Sequence, residues 1–365
     1  MRIMHVVSSP AAGGAEVYVK DLAKRLAKHG HDVTIAFLGS AKDNGRSESY
    51  EKNFLDDLNA SGVTWEFIGN ECRKRPWRGI QRIKTLAKKY RLQVYHSHLP
   101  FGVIFGMGLG CPKVYTHHSI NPRLSWLTYR IFNQIIDRYV GISQVCAQRL
   151  SDYCAQDVTP ILNGVDLERF PKVDRSPVLK NGLVNAVVVG RIHPHKGYYL
   201  LADVIKSLPA EIQPKIQVSI AGEGDVEYTA QLKQFLKESN VASRFTFLGN
   251  RSDVPRLLSE ADIFLMSSEQ EGLPISLIEA TVSGLPCIVT DVGGCSEIIE
   301  MCGNGVAVEY GDTEAYAREL REVIERPEKL RRWSASAGDK CSQLDIESAA
   351  QKHLAVYEEL IGARK

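Results

Sequence analysis

The sequence predicts an α/β protein built from two Rossmann-like halves in tandem, and three observations predict it. Short β-branched runs alternate with amphipathic helical segments along the chain, the pattern of parallel sheets. An apolar strand running into a glycine-bearing loop and then a helix occurs twice, at the start of the chain and again from Val184. Between these starts, 171–183 (PKVDRSPVLKNGL) is polar and carries two prolines, as a linker does. The 365 residues suffice for two domains, each large enough for its own core.

The first strand is read at 2–8 (RIMHVVS), followed by the loop Ala12-Gly13-Gly14. Val17, Leu22, Leu26 and Ala27 then fall near helical spacing. Further strands are expected at 31–37, 94–98, 113–117 and 138–142. The second set is expected at 184–190, 216–221, 245–248, 263–266 and 286–290. A last amphipathic helix is read over 347–361, with Ala350, Leu354, Tyr357, Leu360 and Ile361 on one side. The facing halves leave a cleft as the natural ligand site.

Composition excludes a disordered or fibrous chain, with 44% hydrophobic and 24% charged residues. The net charge of +2 is a cancellation. Residues 1–171 hold 23 Lys/Arg against 15 Asp/Glu, and the remainder holds 22 against 28. Residues 72–136 contain 12 basic residues and no acidic one. Eight scattered cysteines show no CxxC pair and no metal-ligand spacing, which predicts free thiols in a reducing compartment. The first residues turn polar too soon for a signal peptide, and no window holds the ~18–20 apolar residues of a spanning helix. A cytoplasmic protein is the expectation.

Three loops carry candidate chemistry. Gly13-Gly14 opens a helix, where backbone N–H groups and the helix dipole favour an anion; a plain tight turn fits the residues equally. The pattern is not GxGxxG, so a dinucleotide site is not indicated. In the second half, Gly190-Arg191 and Lys196-Gly197 put two cations into a loop at a strand end, an arrangement suited to a diphosphate. His193 and His195 lie between them without a third ligand in sight, so the loop is read as solvent-facing rather than metal-binding. The third stretch runs from Ser267 to Ala280, with Glu271 before a helix that starts near Pro274–Ile275 and Glu279 inside it.

With these residues in hand the chain resembles glycosyltransferase family 4, the retaining nucleotide-sugar-dependent enzymes of GT-B fold, especially bacterial enzymes of surface polysaccharide assembly. The resemblance rests on GGAE (13–16), THHS (116–119), NGVD (163–166), GRIHPHKG (190–197), GEG (222–224), FLG (247–249) and the E-x7-E pair Glu271/Glu279. It implies two Rossmann-like domains facing each other across a cleft. Residues 1–171 would form the acceptor side, 172–346 the donor side, and 347–365 a helix crossing back onto the first domain.

The resemblance further implies that Arg191 and Lys196 hold the donor diphosphate and that Glu279 bonds the ribose. Glu271, with the backbone of Gly272, Leu273, Pro274 and Ile275, would hold the transferred sugar. Asn250 and Arg251 would border the nucleobase, Gly13 and Gly14 would approach the phosphates, and His118 would be the active-site histidine. UDP- or GDP-sugars are the expected donors, and a glycan or lipid-diphosphate-linked chain the acceptor. The transferred group would be a hexosyl or N-acetylhexosaminyl unit. No DxD triplet occurs, so a metal-independent reaction without a cofactor is expected. A nucleotide-sugar hydrolase or epimerase, or a non-catalytic nucleotide-sugar-binding subunit, are the alternative readings.

The basic segment 73–91 (RKRPWRGIQRIKTLAKKYR) is amphipathic from Pro76, with Trp77, Ile80, Ile83, Ala87 and Tyr90 at helical spacing. Arg78, Arg82, Lys88 and Lys89 surround that stripe, and Arg123, Trp126, Tyr129 and Arg130 add a second cluster. An anionic membrane surface, the inner face of the cytoplasmic membrane, is one expected partner. A core-packing helix with a solvated basic face is the other reading, and nucleic acid is not expected.

Overall fold

The computed structural model describes residues 1–44, 48–122, 124–171, 182–337 and 339–364. The chain divides into two compact units, 1–165 with 343–365, and 166–342. The first boundary thus falls at Val165–Asp166 rather than at 171–172, and most of the expected linker, with Arg123, lies outside the described residues.

The first unit holds a seven-stranded sheet of β1 (Arg2–Val7), β2 (Asp32–Phe37), β3 (Thr64–Phe67), β4 (Val94–Ser97), β5 (Lys113–His117), β6 (Arg138–Gly141) and β7 (Val158–Pro160), in the order β3-β2-β1-β4-β5-β6-β7. Every pairing is parallel. The second unit holds β8 (Val184–Val189), β9 (Ile216–Ala221), β10 (Phe245–Gly249), β11 (Ile263–Met266), β12 (Cys287–Thr290) and β13 (Gly305–Val308), in the order β10-β9-β8-β11-β12-β13, again all parallel.

Central strands such as β4, β5, β11 and β12 are buried along their whole length, because helices cover both faces of a parallel sheet. Their continuous apolar runs made them readable. Sequence reasoning missed β3, β7 and β13, which lie at sheet edges, are three or four residues long and are partly exposed. Thr64–Phe67 and Val158–Pro160 are interrupted by polar residues or proline, and Gly305–Val308 is too short an apolar run to stand out.

The helix Gly14–Lys28 buries Tyr18, Val19, Leu22, Ala23 and Leu26. Asp345 caps the last helix, Ile346–Gly362, accepting from the Glu347 N–H at 3.0 Å. That helix packs on Gly14–Lys28 within the first unit, with Glu347 paired to Arg25 at 3.3 Å. It buries His353 and Tyr357 completely, two polar rings that need partners there. Among the described residues no helix is long and apolar enough to cross a membrane.

Candidate functional site

In each sheet one strand starts the winding and its neighbours leave in opposite directions, which opens a crevice at the carboxyl ends. In the second unit that point lies between β8 and β11, and in the first between β1 and β4. GGAE follows β1, GRIHPHKG follows β8 and the Glu271-to-Glu279 stretch follows β11, so these three motifs lie at the two switch points.

Lys196 follows β8 and Glu271 follows β11, and the fold brings Lys196 Nζ to 2.5 Å from Glu271 Oε1. The Ser268 hydroxyl donates to the same carboxylate oxygen at 2.7 Å. The two side chains are 24% and 12% exposed, so the pair is sheltered yet reachable. Its loops are tied together through backbone. Ser267 Oγ donates to Lys196 O at 3.1 Å, Glu269 N to His195 O at 2.9 Å, and Gly294 N to Gly272 O at 2.7 Å. Gly197 sits at φ +64°, and a Cβ there would stand 1.8 Å from the Ser267 carbonyl oxygen. Only glycine allows the Lys196 loop to lie so close to the Glu271 loop.

Arg191 is exposed and forms no ion pair among the described residues. The half-exposed His195 ring meets Glu269 at 3.2 Å, while His193 accepts from its own loop's His195 N–H. Burial, with Arg191, His195 and Lys196 nearby, holds the His193 pKa below the usual imidazole range. The loop is therefore solvent-facing, as read from the sequence, and cationic.

Glu279 is buried in the helix Ile275–Val282, together with Leu277 and Ile278. Leu273 and Pro274 are buried before it, Gly272 is half-buried, and no side chain caps this helix. Asn250 and Arg251 follow β10, two strands from β8. Arg251 is held by both oxygens of Asp253, at 2.8 and 2.7 Å.

At the first unit's switch point Gly13 precedes the helix Gly14–Lys28, as expected. The Glu16 carboxylate lies over Gly13 and accepts from the Ser8 hydroxyl. The negative charge that this helix N-terminus favours is thus already supplied from within.

Beside it lies a group of histidines of which sequence reasoning singled out only His118. His98 Nδ1 is 2.8 Å from His118 Nε2, and His5 Nδ1 is 3.0 Å from His98 Nε2. His96 meets Thr116 Oγ1 at 2.7 Å and Tyr357 OH at 2.6 Å, and His353 Nε2 meets Tyr18 OH at 3.0 Å. Burial lowers the pKa of His5, His118 and His353 to about 3 each and holds His96 and His98 well below the ordinary value. The rings are neutral at physiological pH. A signal was present in Tyr95-His96-Ser97-His98, two histidines at alternate positions leaving a buried strand, with His5 in register with His96 next door.

The basic segment forms the helix Pro76–Lys89, which buries Gly79 and Ile83. Trp77 does not join that stripe and is 57% exposed. Two of the expected surface cations are paired: Arg82 with Glu71 at 2.7 Å and Lys89 with Glu66 at 2.6 Å. The segment is free of acids, but acids just before it in the chain fold back onto it. Arg78 and Lys88 are exposed. The helix Trp126–Phe132 leaves Trp126, Leu127 and Ile131 more than half exposed, with Arg130 over the Trp126 ring, while it buries Tyr129.

Two family models match: "Glycosyltransferase Family 4" over residues 12–169 and "Glycosyl transferases group 1" over 171–340. Among curated proteins, the UDP-Gal:alpha-D-GlcNAc-diphosphoundecaprenol alpha-1,3-galactosyltransferase of Escherichia coli is 24% identical, over 89% of this chain and 88% of that protein. The N-acetyl-alpha-D-glucosaminyl L-malate synthase of Bacillus anthracis is 25% identical, over 96% and 95%. Among solved structures, Anabaena Alr3699/HepE in complex with UDP-glucose superposes with a TM-score of 0.81 at 20% identity, covering 99% of this chain and all of that one. The fold is GT-B.

Proposed function

The chain belongs to glycosyltransferase family 4, and from that premise we propose that it moves a sugar from a nucleoside-diphosphate sugar, UDP- or GDP-linked, to a glycan carried on a lipid diphosphate. The observation that carries this reading is the Lys196–Glu271 pair at the second unit's switch point, a cation for the diphosphate beside a carboxylate for sugar hydroxyls. The relatives lend support: the E. coli protein is named for UDP-galactose and a diphosphoundecaprenol acceptor, and HepE is described with UDP-glucose.

In the proposed reaction the bond from the anomeric carbon to the phosphate oxygen breaks, and a new bond forms to the acceptor oxygen. The departing diphosphate takes the acceptor's proton, and the anomeric configuration is kept. Negative charge grows on the diphosphate as it leaves. In this reading Arg191 and Lys196 are the cations that meet it, and a preplaced charge at a developing charge is where electrostatic catalysis is strongest. That provision suits metal-independent transfer. Glu279 bonds the ribose, the loop from Glu271 to Ile275 orients the sugar, and His118 belongs to the acceptor half.

A thermal-shift series tests the donor class, since a ligand bound only to the folded state stabilises it by ~2.7 kcal/mol at a hundred times its Kd. UDP or GDP and one of their sugars are expected to raise the midpoint, and nucleoside monophosphates much less. Absence of any shift with every diphosphate would refute a nucleotide-sugar site. Release of sugar to water at the full rate without acceptor would make the protein a hydrolase.

The exposed Trp77, Trp126, Leu127 and Ile131, with basic neighbours, support contact with an anionic bilayer. Co-sedimentation with phosphatidylglycerol-containing vesicles is expected, and Arg78→Glu with Lys88→Glu should release the protein. These positions are better probes than Arg82 or Lys89, whose ion pairs would be broken by substitution. Binding indifferent to both lipid charge and substitution would remove the membrane from the proposal.

A further inference from the structure

We propose that His5, His98 and His118 form a hydrogen-bonded relay that fixes the tautomer of His118, so that His118 presents an Nδ1–H donor to the bound sugar or acceptor. His98 and His5 are then positioning residues. The proposal rests on the reading of His118 as the ring at the reacting sugar.

The rings join end to end. His5 Nδ1 meets His98 Nε2 at 3.0 Å, and His98 Nδ1 meets His118 Nε2 at 2.8 Å. His5 is fully buried and His98 is 5% exposed. The two remaining nitrogens, His5 Nε2 and His118 Nδ1, are buried and make no hydrogen bond. A neutral imidazole has one donor and one acceptor, so only two consistent arrangements exist. In the first, His5 Nδ1–H donates to His98, His98 Nδ1–H donates to His118 Nε2, and His118 carries its proton on Nδ1. In the second every bond is reversed, and His118 Nδ1 is a lone pair.

The inner end decides between them. In the free protein each arrangement leaves one buried N–H without an acceptor, on His118 Nδ1 in the first and on His5 Nε2 in the reversed one; a ligand hydroxyl at His118 supplies the missing acceptor only in the first. An orphaned buried donor is the rarer and costlier defect. A sugar hydroxyl can accept or donate, so the outer end imposes no preference of its own. The chain therefore sets His118 Nδ1 as a donor from two residues away.

Proton uptake by this array is disfavoured, because a proton taken up at His118 and passed inward would leave a fully buried imidazolium at His5. The surrounding groups are neutral hydroxyls and rings. Tyr18 has its ring centroid 5.9 Å from that of His118, and Thr116 and Tyr357 hold His96. A cation site is a competing idea, since nitrogens of His5, His96 and His98 lie within 4.8 Å of one another. Both nitrogens of His96 and both of His98 are already bonded, so a cation would have to break those bonds. The relay leaves all of them intact.

The test is 15N NMR of the full-length protein with labelled histidine, bound to the nucleotide sugar that stabilises it, without acceptor. At neutral pH His118 is expected as the Nδ1–H tautomer. His5→Phe, which does not touch His118 in the chain of bonds, should convert His118 to a mixture or to the Nε2–H form. It should also lower kcat/KM on the order of tenfold to a hundredfold, with the donor-induced thermal shift retained. An Nε2–H or protonated His118 in the wild type overturns the relay, and that spectrum needs no variant to fold. A His118 tautomer unmoved by His5→Phe overturns it as well. Full transfer by His118→Ala would instead refute the active-site role, a separate failure readable while the tautomer stands.

Discussion

Lys196→Ala is expected to lower kcat/KM for sugar transfer by about 10²–10³-fold, the usual cost of losing one preplaced group at a developing charge. Glu271→Ala is expected to cost about as much, for two reasons at once. It removes the hydroxyl contact to the sugar, and it releases Lys196, whose Nζ is held at 2.5 Å by that carboxylate. Ser268 Oγ, 2.7 Å from the same oxygen, would be left to bond a mispositioned lysine or water. The single losses overlap, so the double variant Lys196→Ala/Glu271→Ala should fall short of their product. A coupling of about 0.5–3 kcal/mol is the range for residues in direct contact. Steady-state kinetics on the two single variants and the double measures this. Strictly multiplicative effects would mean that the pair does not act as a unit, and unchanged transfer would remove both residues from the site. Both side chains are partly exposed, so melting temperatures should move little and separate chemistry from folding.

Acid is expected to unfold the first unit well above the pH that protonates ordinary carboxylates. His5, His96 and His353 are fully buried and His98 is 5% exposed, all with pKa values pushed far below the 6.5 of a free imidazole. The unfolded chain protonates these rings near pH 6.5 and the folded chain does not. Below that pH the unfolded state binds more protons, so stability falls as pH falls. The contribution is complete above the unfolded value and is lost progressively down toward pH 3. Between pH 7 and 5 His5 and His353, held at about 3, each cost roughly 2 kcal/mol by this linkage, and His96 and His98 add to the loss in the same direction. Their partners are hydroxyls and other imidazoles, so no carboxylate offsets the loss. Urea midpoints from pH 7.5 to 5 should decline steeply. His353→Gln, which keeps a partner for Tyr18 OH, should shallow the slope by about one proton. A midpoint constant down to pH 5 would contradict the neutral, buried assignment.

Much of this was legible without coordinates because it is local. A strand buried on both faces must be an apolar run, so β1, β8, β11 and β12 could be read directly, and Gly13, Gly197 and Pro274 marked where strands turn into helices. The edge strand Thr64–Phe67 carries no such run, the run in Gly305–Val308 is only four residues long, and pairing with a neighbour is what makes both of them strands. The basic helix shows the same limit. Its amphipathic spacing was visible, but the pairing of Lys89 with Glu66 and Arg82 with Glu71 depends on how β3 and the turn after it fold back.

By itself the sequence determined the two-sheet α/β architecture, the loops that carry chemistry and, through the order of its motifs, the family. Only the tertiary structure decided which of those residues meet. Lys196 and Glu271 are 75 positions apart, and His5 and His98 are 93 apart. They touch because parallel crossovers return successive strands to one sheet edge, and because the strand order reverses at β1/β4 and β8/β11. Spacing along the chain carries no trace of that reversal. Nor does it disclose how deeply a ring will be buried, which sets the charge of the histidines, or which partners it will meet, which sets the tautomer of His118.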